Sequence, residues 1–240
     1  MSHLGERRGS HELFIYIAGV CHQDPKGKAN LIAWLHDLSA ANDEPPAFVG
    51  IEYNKDKFAE IKRQRPMLRQ TLESICPRAS SDFLDALSEC LAYEPDAVAD
   101  TFPNAEPLWL DTEILNPNPT ANLYLTWIVY CKQYKRWVDS KGLLFPTAST
   151  EVLDLLSKAA WDLFDPQRAQ FPDRGDALRS KNFACRVLDR INQGSLGWAI
   201  VVVGAYHASV SIPESMRSRL ADARIECKVD WIKPNGPVPG

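Results

Sequence analysis

Three side chains in this sequence, two imidazoles and one carboxylate, are placed so that they could act together on a substrate. They are His22, Glu52 and His207, and each stands at or just past the end of a short apolar segment. Two imidazoles and a carboxylate suit a divalent metal ion that keeps water in its open positions. Such an ion acidifies water and polarises a carbonyl group, which is the usual requirement for hydrolysis. The trio therefore predicts a hydrolase.

The two histidines share a local sequence pattern. The segment Trp198–Val203 ends in consecutive β-branched residues, Gly204 breaks it, and His207 follows three residues later. Near the amino terminus Gly19 breaks another apolar run, and His22 follows at the same spacing. Glycine permits a turn that a β-branched residue resists. Because ligands of open α/β sheets bind outside the carboxyl ends of the strands, both histidines are expected at such a site.

Two other interpretations of the same residues stay open, because a histidine in a loop often has no chemical role. The first is an esterase-like hydrolase without a metal, in which a histidine acts as general base beside Glu52. The second is a non-catalytic module that binds a peptide or a small effector in the same pocket. Metal content separates the first alternative from the metal-dependent enzyme, and turnover separates the second from both.

A helix is predicted over Gly175–Asn192, directly before the second strand, and its two faces differ. Arg179 and Asn182 lie on a strongly polar face, whereas the opposite face is apolar. Most polar helix faces simply meet water. The functional alternative is that Arg179 and Asn182, together with the preceding Arg174, bind substrate or stabilise an oxyanion.

The apolar segments predict an α/β fold with a mainly parallel, mixed sheet and helices on both faces. Leu13–Ile17, Ala47–Ile51 and Trp198–Val203 are the strands that would carry the site. The helix Ala29–Ala41 separates the first two, and a strand–helix–strand order makes such strands parallel. With Pro107–Leu110 and a last alternating segment near the carboxyl terminus, we expect about five strands.

The part of the chain from about residue 56 to about residue 160 predicts a helical insertion in this sheet. Pro66 is expected to divide its first helix into two, because proline removes a backbone donor. The helices expected in the insertion are Asp56–Arg65, Met67–Ile75, one beginning at Ser80 or Ser81, Pro119–Val138 and one beginning at Ser149 or Thr150.

The segments after His207 complete a single α/β domain, predicted over residues 11–233. Ser211–Glu214 resembles a capping box, so a helix is expected to begin there. Ile225–Trp231 alternates in polarity and predicts the last strand, at an edge of the sheet. Residues 234–240 are expected to be a flexible tail.

Composition limits the possible partners. A formal net charge of −4 leaves no basic stripe for a nucleic acid, and we expect none as partner. Met1–Ser10 has no apolar core of a secretory signal, and no segment is long enough to span a membrane. The six cysteines are scattered, which is typical of free thiols in a reducing compartment. We therefore expect a soluble, cytoplasmic protein of undetermined oligomeric state.

With these motifs identified, the sequence resembles the TraB/PrgY family, which includes the Tiki metalloproteases, within the wider group of ChaN and erythromycin-esterase proteins. The resemblance spans roughly residues 13–210 and is carried by short motifs. They are Gly19-Val-Cys-His22, Gly50-Ile-Glu52, Asp173-Arg174 with Lys181-Asn182, and Gly204-Ala-Tyr-His207.

The resemblance implies metal-dependent hydrolysis of peptide bonds, as in the Tiki members. It implies a divalent ion (Mn²⁺, Co²⁺ or Zn²⁺) at His22, Glu52 and His207, and a peptide or small-molecule substrate. Two motifs depart from the family. Val20 and Cys21 stand where threonine or serine is usual, and Lys181-Asn182 replaces Arg-Asn, so that Arg179 is the candidate for the missing guanidinium.

Overall fold

The fold is α/β, as the sequence predicts, and consists of a six-stranded mixed sheet with helices on both faces. The computed structural model describes residues 13–22, 24–75, 77, 79–111, 136, 150–162, 164–171, 174–194 and 197–239, and only the backbone of residues 150, 151 and 174. The strands are β1 (Phe14–Val20), β2 (Val49–Ile51), β3 (Pro107–Trp109), β4 (Trp198–Gly204), β5 (Cys227–Lys233) and β6 (Gly236–Pro239).

The strand order is β3-β2-β4-β1-β5-β6, and every neighbouring pair is parallel except β5 and β6. In register, Val20 of β1 lies beside Gly204 of β4, and Ile51 of β2 lies beside Val202. The three strands predicted to carry the site are therefore parallel and adjacent, which confirms that expectation. Their carboxyl ends lie together at one edge of the sheet.

The helices of the described chain cover both faces of the sheet. They are α1 (Gly27–Ala41), α2 (Lys55–Ile75), α3 (Ser81–Glu89), α4 (Glu94–Thr101), α5 (Thr150–Asp162), α6 (Arg174–Asn192), α7 (Ala205–Ala208) and α8 (Met216–Asp222). Ile200 and Val202 pack with α1 and α4 on one face, while Val201 and Val203 pack with α6 and α8 on the other. A strand buried on both faces needs no alternation of polarity, which explains the run of β-branched residues in β4.

The helical insertion contains a core of its own. Leu68 and Leu72 of α2 pack there with Phe83 of α3 and with Val152 and Leu156 of α5. Ser80 caps α3 by accepting a hydrogen bond from the backbone N–H of Phe83, as predicted. The described part of this region also contains β3, at the predicted place. The helix predicted over Pro119–Val138 lies outside the described residues, apart from Arg136.

Pro66 does not divide its helix, and that prediction is wrong. α2 is continuous over Lys55–Ile75 with the proline inside it. Ile61 is buried in the core beneath the sheet, whereas Leu68 and Leu72 are buried in the core of the insertion. Apolar burial on both sides of the proline offsets the backbone hydrogen bond that it removes.

The carboxyl-terminal end differs from the prediction in two ways. The last predicted strand is β5, which is interior, and residues 236–239 of the expected flexible tail form the edge strand β6. Gly236 has a φ of 101°, which permits the tight hairpin between the two strands. Pro237 and Pro239 are tolerated because an edge strand needs only one row of donors.

Two smaller expectations concern the helix after His207 and the cysteines. The helix after His207 begins at Met216 and not at Ser211, because the Ser215 side chain caps the backbone N–H of Ser218. Four of the cysteines, Cys21, Cys90, Cys185 and Cys227, are free thiols. Within the described ranges, no helix combines the length and the apolar character needed to cross a membrane.

Candidate functional site

His22, Glu52 and His207 meet at the carboxyl ends of β1, β2 and β4. The Nε2 atom of His22 lies 3.3 Å from Oε2 of Glu52, and the Nε2 atom of His207 lies 3.6 Å from Oε1. Each imidazole therefore faces a different oxygen of one carboxylate. This confirms the expectation that Glu52 lies within reach of both histidines. The Glu52 and His207 side chains are 6% exposed, and that of His22 is 24% exposed.

Gly204 makes this close approach possible. A Cβ atom at this position would lie 2.8 Å from Nε2 of His22 and 3.2 Å from Oε2 of Glu52. The backbone N–H of Gly204 also donates to Oε2 of Glu52 over 2.5 Å. The glycine of the second Gly-x-x-His motif thus ends the strand, leaves space for an imidazole and binds the carboxylate.

The other ring nitrogen of each histidine has a side-chain partner that the sequence did not reveal. Nδ1 of His22 lies 2.5 Å from Oε1 of Glu94, and Nδ1 of His207 lies 2.6 Å from Oγ of Ser180. A histidine held at one nitrogen presents the other in a fixed direction. Both rings are therefore fixed with Nε2 towards Glu52.

Arg179 joins the site from α6. Its Nη2 atom lies 2.8 Å from Oε1 of Glu52 and 3.1 Å from Oδ2 of Asp111, and its Nη1 atom lies 3.3 Å from Oδ1 of Asp176. The side chain is 21% exposed, so it is less exposed than a surface arginine, as predicted. Asp176 also approaches Nε2 of His207, at 4.0 Å.

The other two residues predicted to bind substrate, Arg174 and Asn182, also belong to α6. Arg174 is the first residue of α6, and its side chain lies outside the described part of the chain. Asn182 is half-buried and follows Arg179 by three residues, so both lie on the same side of the helix. Arg179 of this helix contacts Glu52, and Asp176 and Ser180 contact His207. Substrate binding by Arg174 and Asn182 stays a prediction.

Aromatic rings border the two imidazoles. Phe171 and Phe183 both approach the His207 ring, with centroids 5.2 Å and 5.0 Å from it. Tyr53 meets the His22 ring edge to face at 5.8 Å, and its hydroxyl is 3.5 Å from Nδ1. Aromatic rings beside the imidazoles are less polar than water, and electrostatic interactions are stronger in less polar surroundings.

The charges of the site shift the pKa values of its members. Burial alone would raise the pKa of Glu52, but His22, His207 and Arg179 hold it well below its usual range. Burial would lower the pKa of His22, but the carboxylates of Glu52 and Glu94 raise it to about 10. Burial lowers the pKa of His207, with Glu52 and Arg179 acting on it in opposite directions. In the metal-free protein, His22 is therefore the protonated histidine and His207 the neutral one.

The nitrogen and oxygen donors of His22, Glu52 and His207 are of types that bind divalent metal ions. Among the described residues, no three His, Cys, Asp or Glu side chains already form a metal-binding group. Ligands that bind a tetrahedral ion at about 2.1 Å are about 3.4 Å apart, and the distances from the two Nε2 atoms to the Glu52 oxygens, 3.3 Å and 3.6 Å, are close to that value. The carboxylate at Nδ1 of His22 is a usual partner of a metal-binding histidine, whereas Nδ1 of His207 has a serine hydroxyl as its partner. The chemistry of these residues therefore fits an ion.

The charge of the cluster also favours a cation. The positive groups in the cluster or beside it are Arg179 and Lys57, which interacts with Glu52 and Asp111, and they face four carboxylates. The four carboxylates are Glu52, Glu94, Asp111 and Asp176. In a poorly solvated cluster such an excess of negative charge must be compensated, either by protonation of His22 or by a bound cation.

No protein-family model, no curated protein and no solved structure matches the chain.

Proposed function

We propose that this chain is a metal-dependent hydrolase whose first substrate class is the peptide bond. The observation that supports the proposal is the meeting of two imidazoles on opposite oxygens of one buried carboxylate. The Nε2 atoms of His22 and His207 lie 3.3 Å and 3.6 Å from Glu52. Their Nδ1 atoms are hydrogen-bonded to the side chains of Glu94 and Ser180. A site fixed in this way has its donor groups positioned before a substrate arrives.

His22, Glu52 and His207 would hold a divalent ion, Mn²⁺, Co²⁺ or Zn²⁺. Such an ion supplies a Lewis acid that polarises a carbonyl group and acidifies water. Arg179 fixes Glu52 and offsets its charge, and its own charge is shared among three carboxylates. Arg174 and Asn182 are the proposed contacts to the substrate or to the oxyanion of its transition state.

The choice of peptide bonds rests on the motifs. Both Gly-x-x-His units and the Gly-Ile-Glu segment resemble those of the TraB/PrgY family, and the resemblance to its Tiki members implies peptide hydrolysis. The His22 side of the site is the more exposed one. The His22 side chain is 24% exposed, whereas that of His207 is buried. We therefore expect substrate to approach from the His22 side.

A second candidate is a hydrolase that uses no metal, and one observation favours it. Burial keeps His207 neutral, so its Nε2 atom can accept a proton from water when its Nδ1 atom donates to Ser180. In that case His22 stays protonated between Glu52 and Glu94 and supplies positive charge to an oxyanion. A serine nucleophile is not favoured, since Ser180 is fully buried.

Metal content and turnover of one preparation test the proposal. The full chain is purified without chelator, its metal content is measured, and hydrolysis of a peptide library is followed before and after chelation. About one ion per chain and turnover that chelation abolishes and Mn²⁺, Co²⁺ or Zn²⁺ restores are the expected results. The variant His207→Ala serves as the inactive control, with circular dichroism to verify that it folds.

Other outcomes select the alternatives. Turnover that survives complete removal of metal supports the metal-free hydrolase. Saturable binding of peptides without any turnover, lost in His207→Ala, supports a binding module and contradicts hydrolysis.

A further inference from the structure

Glu94 is a buried carboxylate whose position is not explained by the fold alone. It is the first residue of α4 and is 1% exposed. Its Oε1 atom lies 2.5 Å from Nδ1 of His22, while its Oε2 atom is buried and has no hydrogen-bond partner in the described part of the chain. A buried carboxylate with one unsatisfied oxygen costs stability, which an apolar residue at this place would not.

Tyr93, the residue before Glu94, contacts Cys21, the residue before His22. The hydroxyl of Tyr93 donates to the backbone carbonyl of Cys21 over 3.3 Å. Its ring also fills the space above Gly27, where an added Cβ would lie 2.4 Å from the ring. Two successive side chains of one segment therefore contact the backbone and the ring of the Cys21–His22 turn.

The segment that presents these two side chains is itself restrained. Ala92 is fully buried and has a φ of 57°, a left-handed conformation that costs energy for a residue other than glycine. The Nη2 atom of Arg65 donates to the carbonyl oxygens of Leu91 and Ala92 over 3.2 Å and 2.9 Å. Asp96 forms an ion pair with the same guanidinium. The turn that aims Glu94 at His22 is thus fixed by contacts outside the site.

We propose that Glu94 is a positioning residue, which accepts the Nδ1 proton of His22 and so directs the Nε2 atom of that ring towards Glu52. The inference rests on the proposed function, because the direction of Nε2 matters only if that atom meets a metal or a substrate. The competing acceptor, the Tyr53 hydroxyl, lies 3.5 Å from Nδ1 and therefore forms at best a weak bond. Metal-binding histidines commonly depend on a carboxylate in this role.

The test compares Glu94→Leu, which removes the acceptor, with Glu94→Gln, whose amide oxygen can still accept. The full chain is freed of metal and labelled with ¹⁵N-histidine, and the Nδ1 proton of His22 is observed by NMR and assigned by its absence in His22→Asn. Binding of Zn²⁺ alone is then measured by calorimetry. Glu89→Leu, an exposed carboxylate at the end of α3, is the matched control.

In the unaltered protein we expect a downfield Nδ1 proton that exchanges slowly with water. Glu94→Leu should lose this signal and bind Zn²⁺ about 10- to 100-fold more weakly, which is the usual effect of removing such a carboxylate. Glu94→Gln should keep the signal at a smaller downfield shift and lose less affinity. Glu89→Leu should change neither quantity.

A retained signal in Glu94→Leu, or a signal in Glu94→Gln that is unchanged from the unaltered protein, overturns the positioning role. So does Zn²⁺ affinity equal to that of the unaltered protein in Glu94→Leu. If the unaltered chain binds none of Zn²⁺, Mn²⁺ and Co²⁺, the metal-dependent function fails, and the NMR comparison still decides the role of Glu94. Should Glu94→Leu not fold, the shift of the signal in Glu94→Gln decides it.

Discussion

Arg179 donates from Nη2 to Oε1 of Glu52 over 2.8 Å, which ties the helix before β4 to the residue after β2. The same Nη2 atom lies 3.1 Å from Oδ2 of Asp111, which stands just after β3. Both carboxylates are buried, at 6% and 5% side-chain exposure. One guanidinium therefore offsets two negative charges that neighbouring strands bring to the same edge of the sheet.

Replacing Arg179 with methionine should destabilise the protein, because it removes the guanidinium that the buried carboxylates of Glu52 and Asp111 share. Loss of one partner of a buried ion pair costs about 3–5 kcal/mol, and we expect a value near the lower limit because Arg179 is 21% exposed. The free energy of unfolding in urea at pH 7 measures it. Arg186→Met, at a half-buried arginine of the same helix, is the control and should cost about 1 kcal/mol or less. Equal losses in the two variants would contradict the counter-charge role.

Replacing Gly204 with alanine should disturb the site more than the fold. The added Cβ would lie 2.8 Å from Nε2 of His22, whereas the backbone φ of −53° suits alanine. The His22 ring must therefore move away from Glu52, and we expect at least a tenfold loss of metal affinity or turnover. Gly50→Ala is the matched control, since its Cβ would meet only apolar side chains, the nearest at 3.3 Å. Unchanged affinity and turnover in Gly204→Ala would show that the close approach is unimportant.

The strands and the meeting of the two histidines with Glu52 could be predicted because their signals are local. A β-branched run, a glycine and a histidine three residues later are read directly from the chain, and the parallel sheet brings such ends together. Asp111 could have been found by the same rule. It follows Leu108-Trp-Leu110 as Glu52 follows Phe48-Val-Gly-Ile51.

Glu94 and Ser180 could not be predicted, because their contacts depend on how helices pack. Glu94 reaches His22 only through the packing of α4 on α1 and the left-handed turn at Ala92. Ser180 is fully buried on the apolar face of α6, one turn before Phe183 and Ala184, where a small hydroxyl has no distinctive sequence signal. The break predicted at Pro66 was wrong because burial of apolar side chains on both sides of the proline outweighs the helix propensity that it costs.

Ser180→Ala tests the fixing of His207. The hydroxyl lies 2.6 Å from Nδ1 of that ring, so its removal leaves the ring nitrogen without this partner. We expect turnover to fall about tenfold or more, while stability falls by only about 1 kcal/mol. Ser88→Ala removes another buried hydroxyl, which binds the carbonyl of Asp85 and is remote from the site. If both variants keep full turnover, Ser180 has a packing role only.

The pH dependence of stability should reveal the protonated His22. The pKa of His22 is raised to about 10 in the folded, metal-free protein, against about 6.5 when the chain is unfolded. The folded state therefore binds the extra proton more tightly, so this stabilisation is complete below about pH 6.5. It is lost progressively as the pH rises to about 10.

Chelator-treated protein should accordingly lose stability between pH 7 and pH 9.5, by up to about 1.4 kcal/mol per pH unit. The free energy of unfolding in urea, measured across this range, gives the slope. In His22→Asn the slope should be shallower, whereas His36→Asn, at an exposed histidine of α1, should keep that of the unaltered protein. Identical slopes in all three proteins would mean that His22 is not protonated between Glu52 and Glu94.

Glu52→Gln is the most direct test of the trio. The amide keeps the shape of the side chain and one acceptor, but it removes the negative charge that His22, His207 and Arg179 share. We expect metal binding to weaken strongly and turnover to fall at least about 100-fold, since a metal ligand or an oriented catalytic group is lost. Circular dichroism should remain that of a folded protein, because Gly204 can still donate to the amide oxygen.

Glu44→Gln is the control for this change, since it alters the charge in the same way at an exposed position. It should leave metal content and turnover as they are. The charge of Glu52 matters to the proposed chemistry because the ligands of a divalent ion must offset part of its charge, and two neutral imidazoles cannot. If Glu52→Gln retains full metal content and full turnover, Glu52 is only a residue at the end of a strand. The hypothesis that His22, Glu52 and His207 act together is then wrong, even if the two histidines prove essential.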